Sequence, residues 1–309
     1  MDRLAALFSR FAVSARTFQA GLLCGINPIG EDERRGQLHV VREGLVQVEH
    51  HGRCKRKKLK VSEPSLLLYP RPLPRRFITD PVHGASMVCA HVEFQGSAGS
   101  PIAAALPDVV LLPLARMPDV EPVLALLFAE ADAKNCGRQA MLDRLFEILL
   151  IQVLRELMEG AHVGAGMLAG LADARLRNAL VSIHEQPQRN WSLEDLAAVA
   201  GMSRTSFANA FRETVGVTPG LYLQAWRVGL AQELLDEGRP LKHIADAVGY
   251  SGEAALSRAF RAHTGSSPGQ WRRARAGQDR SAPASGVAGT PDGAPASPVD
   301  ASRATAAPA

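Results

Sequence analysis

One segment occurs twice in this 309-residue chain, and the duplication restricts its fold more than any other feature. Leu196–Gly220 reads LAAVAGMSRTSFANAFRETVGVTPG, and Ile244–Gly269 reads IADAVGYSGEAALSRAFRAHTGSSPG. An offset of 48 superposes Leu193 on Leu241, Leu196 on Ile244, Gly201 on Gly249 and Ser203 on Ser251. One extra residue in the second copy makes the offset 49; Phe207 then meets Leu256, Phe211 meets Phe260, and Pro219–Gly220 meet Pro268–Gly269. A match that survives an insertion marks a repeated structural unit. Each copy reads as a short helix, a glycine turn and a second helix. Gly201 or Gly249 supplies the turn, and Ser203 or Ser251 the N-cap. That is helix-turn-helix geometry, in which the second helix enters the DNA major groove.

An αα repeat packed for stability alone is the competing reading, and a helical wheel separates the two. With Phe207 and Phe211 turned to the core, the outward face of the first copy's second helix carries Thr205, Asn209 and Arg212. With Leu256 and Phe260 inward, the second copy shows Ala254, Arg258 and Arg261. Arginine and asparagine suit bidentate reading of guanine and adenine edges. A merely solvated face would mix Glu with Lys. Glu253 sits at a helix start, where it favours the dipole and can accept from cytosine. The expected DNA-contacting set is Arg204, Thr205, Asn209, Arg212, Glu253, Arg258 and Arg261. The connector LYLQAWRVGLAQELLDEG, with Leu223, Trp226, Leu230 and Leu234 at helical spacing, forms a rod of about 25 Å. Such a rod would present the two units to successive major grooves about 34 Å apart.

The rest of the chain divides by pattern. Residues 20–96 are strand-like, with β-branched runs broken by Gly, Pro and Asp. From Pro118 the period becomes helical, and GAHVGAGMLAG (Gly160–Gly170) is a Gly-rich break whose low packing makes it the best domain boundary. After Trp271 the sequence turns to Ala, Gly, Pro and Ser, so 277–309 reads as a disordered tail. The expected organisation is α+β: residues 1–160, then an all-α domain over 172–273 with helix-turn-helix motifs at 193–214 and 241–263. No apolar run reaches the length of a membrane span, and MDRLAALFSRF reads as an amphipathic helix rather than a signal peptide. The four cysteines form no C-x-x-C pair, which argues against a zinc site or disulfide framework. The formal charge of +4 permits an anionic partner without demanding one. A cytoplasmic location follows as the plain expectation.

Residues 172–273 resemble the DNA-binding domain of the arabinose-regulator (AraC/XylS) family. The residues that carry it are the two repeats, the WRVGLAQELL linker and the closing GSSPGQWR. Ala254–Ala255 depart from that pattern, where the family has a larger polar or aromatic residue. Residues 1–160 resemble, more loosely, the degenerate cupin barrel that one branch of the family uses as an effector-sensing and dimerisation domain. Metal-binding cupins use clustered His with a Glu. Here LHVVRE offers His39 and Glu43, four apart on a strand and so on one face. Arg75 stands near the usual second His, and a cation there opposes a metal. A metal-free barrel is expected, with Arg71, Arg75 or Arg76 as counter-charge for a small anionic or aromatic effector. Cys24 and Cys89 lie at positions resembling cysteines of oxidant-sensing members, which makes them, with His39 and Arg75, candidate effector or redox residues. The charge run RCKRKKLK (Arg53–Lys60) reads as a solvated hairpin loop, or as an auxiliary phosphate contact.

The function that follows is a sequence-specific DNA-binding transcription regulator answering a small-molecule or oxidant signal. No catalytic residue, metal or cofactor is expected. The alternative is a metal-dependent cupin enzyme fused to a DNA-binding module, which would need a third ligand from His50, His51 or His91. The implied partners are double-stranded DNA, RNA polymerase, a small-molecule effector and a second copy of the chain, with no membrane. The second copy is suggested by a surplus of apolar residues on the helix near Leu149: Leu142, Leu145, Phe146, Ile148, Leu149, Val153 and Leu157.

Overall fold

A computed structural model describes residues 2–29, 35–51, 58–94, 101–160 and 164–279. The expected amphipathic helix is α1 (Ala5–Arg10). Strand structure then starts at Val13, earlier than the sequence suggests, with β1 (Val13–Leu23) and β2 (Ile26–Ile29). There follow β3 (Gly36–Glu43), β4 (Val46–His50), β5 (Lys58–Val61), β6 (Ser65–Tyr69), β7 (Arg75–Ile78) and β8 (Ala85–Phe94). After α2 (Pro101–Ala105), a ninth strand, β9 (Val110–Pro113), closes the set; the sequence reading had no strand there. The strands make two antiparallel sheets, β1-β8-β3-β6-β9 and β2-β7-β4-β5.

Strand β3 shows why this half needs helices. It is buried on both faces from Gly36 to Val41. Leu38 and Val40 belong to the core beneath the helices, whereas Val41 packs inside the barrel with Leu67, Phe77 and Met87. A strand buried on both faces needs cover on each side. The helical cover is α3 (Glu121–Asp132) and α4 (Arg138–Glu159). Helix α4 also satisfies the edge of β1. Asp143 accepts from Thr17 N–H at 2.6 Å, and Gln139 Nε2 donates to Thr17 O at 2.9 Å. Edge groups used in this way offer no template to another strand.

The apolar surplus on α4 has an intramolecular destination. Six of the seven residues in that stripe are buried within the chain, and Ile148 alone stays exposed, beside Met141. The stripe therefore packs chiefly on β1, α3 and α5 (Met167–Ala172) of the same molecule.

The second half is all helical: α6 (Arg177–Glu185), α7 (Leu193–Val199), α8 (Arg204–Val215), α9 (Pro219–Asp236), α10 (Leu241–Ala247), α11 (Glu253–Thr264) and α12 (Pro268–Asp279). Helix α12 runs three residues into the stretch read as a disordered tail, and the remainder of that stretch lies outside the described residues. Helix α9 is a central beam rather than a solvated rod. Val228, Gly229, Ala231 and Gln232 are buried along with Leu223, Trp226 and Leu230, because α8, α10, α11 and α12 all pack on it. Among the described residues no helix is long and apolar enough to cross a membrane.

The expectation that Gly160–Gly170 carries little packing holds at Gly164 and Gly166, which have nothing within 4 Å of a Cβ, and fails from Met167 to Gly170, which lie in α5. Residues 161–163 lie outside the described set, but α5 touches α2 and α4 on one side and α6 and α8 on the other. A Cβ on Gly170 would overlap Leu180 Cδ1 and stand 2.9 Å from Val215 Cγ2. Helix α1 also crosses over, packing on α6, and the Phe11 ring meets Trp226 of α9 edge-on at 5.0 Å. One apolar core thus runs from Leu4 to Phe260.

Candidate nucleic-acid interface and barrel interior

The repeat in the sequence is a repeat in space. Helices α7 and α8 correspond to α10 and α11, and α9 to α12. Ser192 opens α7 with a capping box, its Oγ accepting from Asp195 N–H at 3.1 Å while Asp195 accepts from Ser192 N–H. Ser203 caps α8, accepting from Ser206 N–H at 3.2 Å. The second copy differs from expectation. Helix α11 begins after Gly252, with no side-chain cap. The inserted residue has pushed Ser251 one place outside the helix, so Ser251 is not its cap. With glycine at the N-cap the missing side-chain bond costs only roughly a few tenths of a kcal/mol, and Glu253 in the first turn offsets it through the helix dipole.

The candidate DNA-contacting residues lie on the two second helices. Phe207, Phe211, Leu256 and Phe260 are fully buried, which fixes the rotation of α8 and α11 about their axes. Arg204, Thr205, Asn209 and Arg212 are exposed on α8, and Glu253, Arg258 and Arg261 on α11. Arg204 forms an ion pair with Glu194 of α7 at 2.7 Å. It braces the unit in this state and must exchange partners to reach a phosphate. Arg212, Arg258 and Arg261 enter no ion pair among the described residues. Three guanidinium groups with open forks on two helices give a surface able to bind anions and read base edges.

The barrel interior holds a second polar cluster. Alternation along β3 turns Gln37 and His39 inward, and both are buried. Arg75 at the start of β7 donates to Gln37 Oε1 and Leu73 O, lies 3.1 Å from His39 Nε2, and covers the Tyr69 ring at 3.7 Å. Tyr69 OH in turn lies 2.9 Å from His50 Nε2. Burial first, then Arg75 and His91, hold His39 well below the usual histidine range. His91, stacked on Phe18 at 4.3 Å, is lowered to about 4, by burial first and then by Arg35, Arg16 and Arg75. Of the three arginines expected as counter-charges, only Arg75 faces inward. Arg71 holds Ala103 O, Leu106 O and Asp108, and Arg76 pairs with Glu49 at 2.6 Å.

Glu43 does not join His39. A register shift between Val41 and Glu43 leaves Glu43 on the exposed end of β3. Among the described residues no group of three His, Cys, Asp or Glu side chains is placed to hold a metal ion. Most of RCKRKKLK lies outside the described residues; its Lys58 pairs with Glu49 at 3.1 Å. The sequence reading missed Gln37 and Tyr69, the neutral partners of Arg75. Strand alternation around His39 is the signal that finds Gln37.

The two candidate redox cysteines are far apart. Cys24 follows β1, whose last residue pairs with Ala85, whereas Cys89 lies four residues further along β8, opposite Gln19 and His39. Four residues of strand span about 13 Å, whereas a disulfide needs Cα atoms within about 7 Å. Cys89 is buried, and burial pushes its thiol up to about 12 in spite of Arg75. It lacks the thiolate character expected of a sensor. Cys24 and Cys136 are exposed. In the native protein an alkylating reagent is therefore expected to modify Cys24 and Cys136 within minutes and to reach Cys89 only on unfolding. Mass spectrometry of the labelled chain checks this, and fast labelling of Cys89 would show that the barrel opens.

Residues 2–159 match the family model described as Cupin, and residues 196–274 one described as Helix-turn-helix domain. A Haemophilus influenzae protein, an uncharacterized HTH-type transcriptional regulator, is 33% identical over 60% of this chain and 62% of its own length. A Streptomyces lividans protein described as an AraC-like transcription regulator is 40% identical over 54% of this chain and 57% of its own. The matched part thus spans about six-tenths of these relatives. The crystal structure of the AdpA DNA-binding domain in complex with a target DNA is 31% identical, covering 36% of this chain and 99% of that one, with a TM-score of 0.33. The cupin match covers half of the chain and the helix-turn-helix match covers the duplicated unit; the chain belongs to the AraC/XylS-type family that carries a cupin-like N-terminal domain.

Proposed function

We propose that this protein is a sequence-specific DNA-binding regulator of transcription whose barrel responds to a small molecule or an oxidant. The observation that carries the reading is the paired exposure of Asn209 and Arg212 on α8 and of Arg258 and Arg261 on α11, each set opposite buried apolar side chains. Residues 172–273 read DNA, residues 1–160 sense, and α5 joins them. Cys24 serves an oxidant signal, and the Gln37–His39–Arg75 cluster a small polar or anionic one. The metal-dependent enzyme is the weaker reading, because His39 and Glu43 do not share a face. A second copy of the chain would dock on the little that α4 leaves exposed, Met141 and Ile148.

The test is binding of the full-length chain to genomic DNA fragments across a salt series, followed by footprinting of what is retained. Log affinity should fall linearly with log salt, with a slope of about −0.9 per phosphate neutralised. Retention that is insensitive to salt, or none, would sink the proposal. Sedimentation of the same sample gives the oligomeric state. On the footprinted site, Arg212→Ala and Arg258→Ala are each expected to cost about 1–3 kcal/mol of specific binding and to relax the base preference at one position. A loss that is equal on all sequences would make them phosphate contacts instead.

A further inference from the structure

Two attachments hold the second helix-turn-helix unit to the first. One is α9, which runs between them. A single helix sets a distance but leaves each unit free to rock about its own contact with it. The other attachment is a seam around Arg227, on α9. Arg227 Nε donates to Pro187 O at 2.7 Å and Nη2 donates to Arg189 O at 2.9 Å, while the guanidinium lies 5.6 Å from the centre of the Tyr250 ring. Pro187 and Arg189 lie between α6 and α7, and Tyr250 between α10 and α11. One side chain therefore ties the loop that leads into the first unit to the turn of the second.

The loop that Arg227 grips is stiff. Trp191 Nε1 donates to Gln186 O at 2.9 Å, Arg189 N–H donates to the same carbonyl at 3.2 Å, and the Arg189 guanidinium covers the Trp191 ring at 3.9 Å. Gly249 closes the seam from the other side. Its φ is +80°, and a Cβ there would stand 2.6 Å from both Cα and O of Gln188. The turn of the second unit thus rests on the backbone of the loop that precedes the first, with no room for a side chain. The equivalent turn glycine of the first unit, Gly201, has nothing within 4 Å of a Cβ. The tight approach belongs to the second copy and to the seam, not to helix-turn-helix geometry in general.

Two attachments fix rotation as well as distance. One inserted base pair moves a subsite by about 3.4 Å and turns it by about 35° around the duplex axis. A body hinged only at α9 would follow such a change, and a locked one would not. We infer that Arg227 is a positioning residue that sets DNA specificity: by locking the α6–α7 loop to Tyr250, it fixes the base-pair spacing between the subsites read by α8 and α11. The inference rests on the two-helix reading of DNA proposed above.

The experiment uses the full-length chain and a footprinted site, remade with one or two base pairs inserted or deleted between the two protected segments. Wild type should lose about tenfold or more in affinity for a one-base-pair change, as simultaneous engagement fails. Arg227→Met keeps the stem but none of the donors. It should bind the original site a few-fold more weakly, with a spacing penalty of about threefold or less. Substitution that only destabilises the fold weakens all spacings alike, so an unchanged spacing profile in Arg227→Met overturns the inference. So does a wild type indifferent to spacing, which would leave DNA reading intact. A wild type that binds no DNA overturns the functional reading instead. If Arg227→Met does not fold, Arg227→Lys, which retains the charge but cannot span both carbonyls, is judged by the same profile.

Discussion

Replacing Trp226 with alanine is expected to remove about 3–5 kcal/mol from the unfolding free energy, the usual cost of deleting a fully packed aromatic. Trp226 is 2% exposed, stacks on His184 at 4.1 Å and meets Phe11 edge-on at 5.0 Å. Its indole Nε1 has no hydrogen-bond partner among the described residues, so the loss is one of packing. What makes the site informative is its neighbours. Phe11 belongs to the segment before the barrel, His184 to α6, and Trp226 to the beam between the two helix-turn-helix units. Denaturant unfolding followed by far-ultraviolet dichroism and by tryptophan fluorescence should give one coincident transition in wild type, displaced as a whole in Trp226→Ala. Two separate transitions, with only one displaced, would mean that the halves are stabilised independently and that the Phe11 contact is incidental.

That prediction reverses the independence suggested by the glycine-rich break, and the reason is physical. Periodicity reports which face of an element is apolar, but not what that face meets. The repeat at 196–220 and 244–269 was legible because helix, turn and cap follow from local spacing, and the matched Phe and Leu positions fix each helix's rotation. Leu4, Leu7 and Phe11 were legible as one side of a short helix, yet their partners lie more than 150 residues away on α6 and α9. Gly170 is ambiguous in the sequence because a missing side chain signals either freedom or close approach, and only the neighbouring Leu180 and Val215 decide between them. The same ambiguity governs the stripe on α4, whose apolar residues meet the chain's own β1, α3 and α5. Arg71, Arg75 and Arg76 are alike as letters; strand alternation sends Arg75 inward, the end of α2 and the turn after it hold Arg71, and Glu49 holds Arg76. Ser251 has the spacing of a cap, but the insertion falls where the helix begins and puts Gly252 at the N-cap instead.

Acid is expected to weaken the fold well before its carboxylates titrate. His39 is buried, with its ring among Phe18, Tyr69 and Phe77 and its Nε2 beside Arg75, while Gln37 and His91 face the same space. Its folded-state pKa lies below its unfolded value, so as pH falls the unfolded chain takes up the proton first. Stability is then complete above about pH 6.5 and declines as pH drops below it, by up to about 1.4 kcal/mol per pH unit for a fully buried histidine. His91, lowered to about 4, acts in the same direction, with a smaller share because it is partly exposed and solvent screens it. Glu49, Asp80, Asp173 and Asp195 are held below the ordinary carboxylate range by hydrogen bonds, chiefly from Arg76, His83 N–H, Arg175 and Ser192 respectively. Their contribution is lost only at lower pH, and this leaves the window from about pH 6.5 down to 4.5 to the histidines. Protonating His39 would also set a cation 3.1 Å from Arg75 Nη2. Denaturant midpoints between pH 7.5 and 4.5 should therefore fall steadily in wild type and more gently in His39→Gln, which keeps a polar side chain without a titrating ring. A wild-type profile that stays flat through this window would mean that His39 is already solvated or protonated in the native barrel, and an unchanged slope in His39→Gln would assign the effect to other histidines, among which His50, His91 and His184 are buried or half-buried.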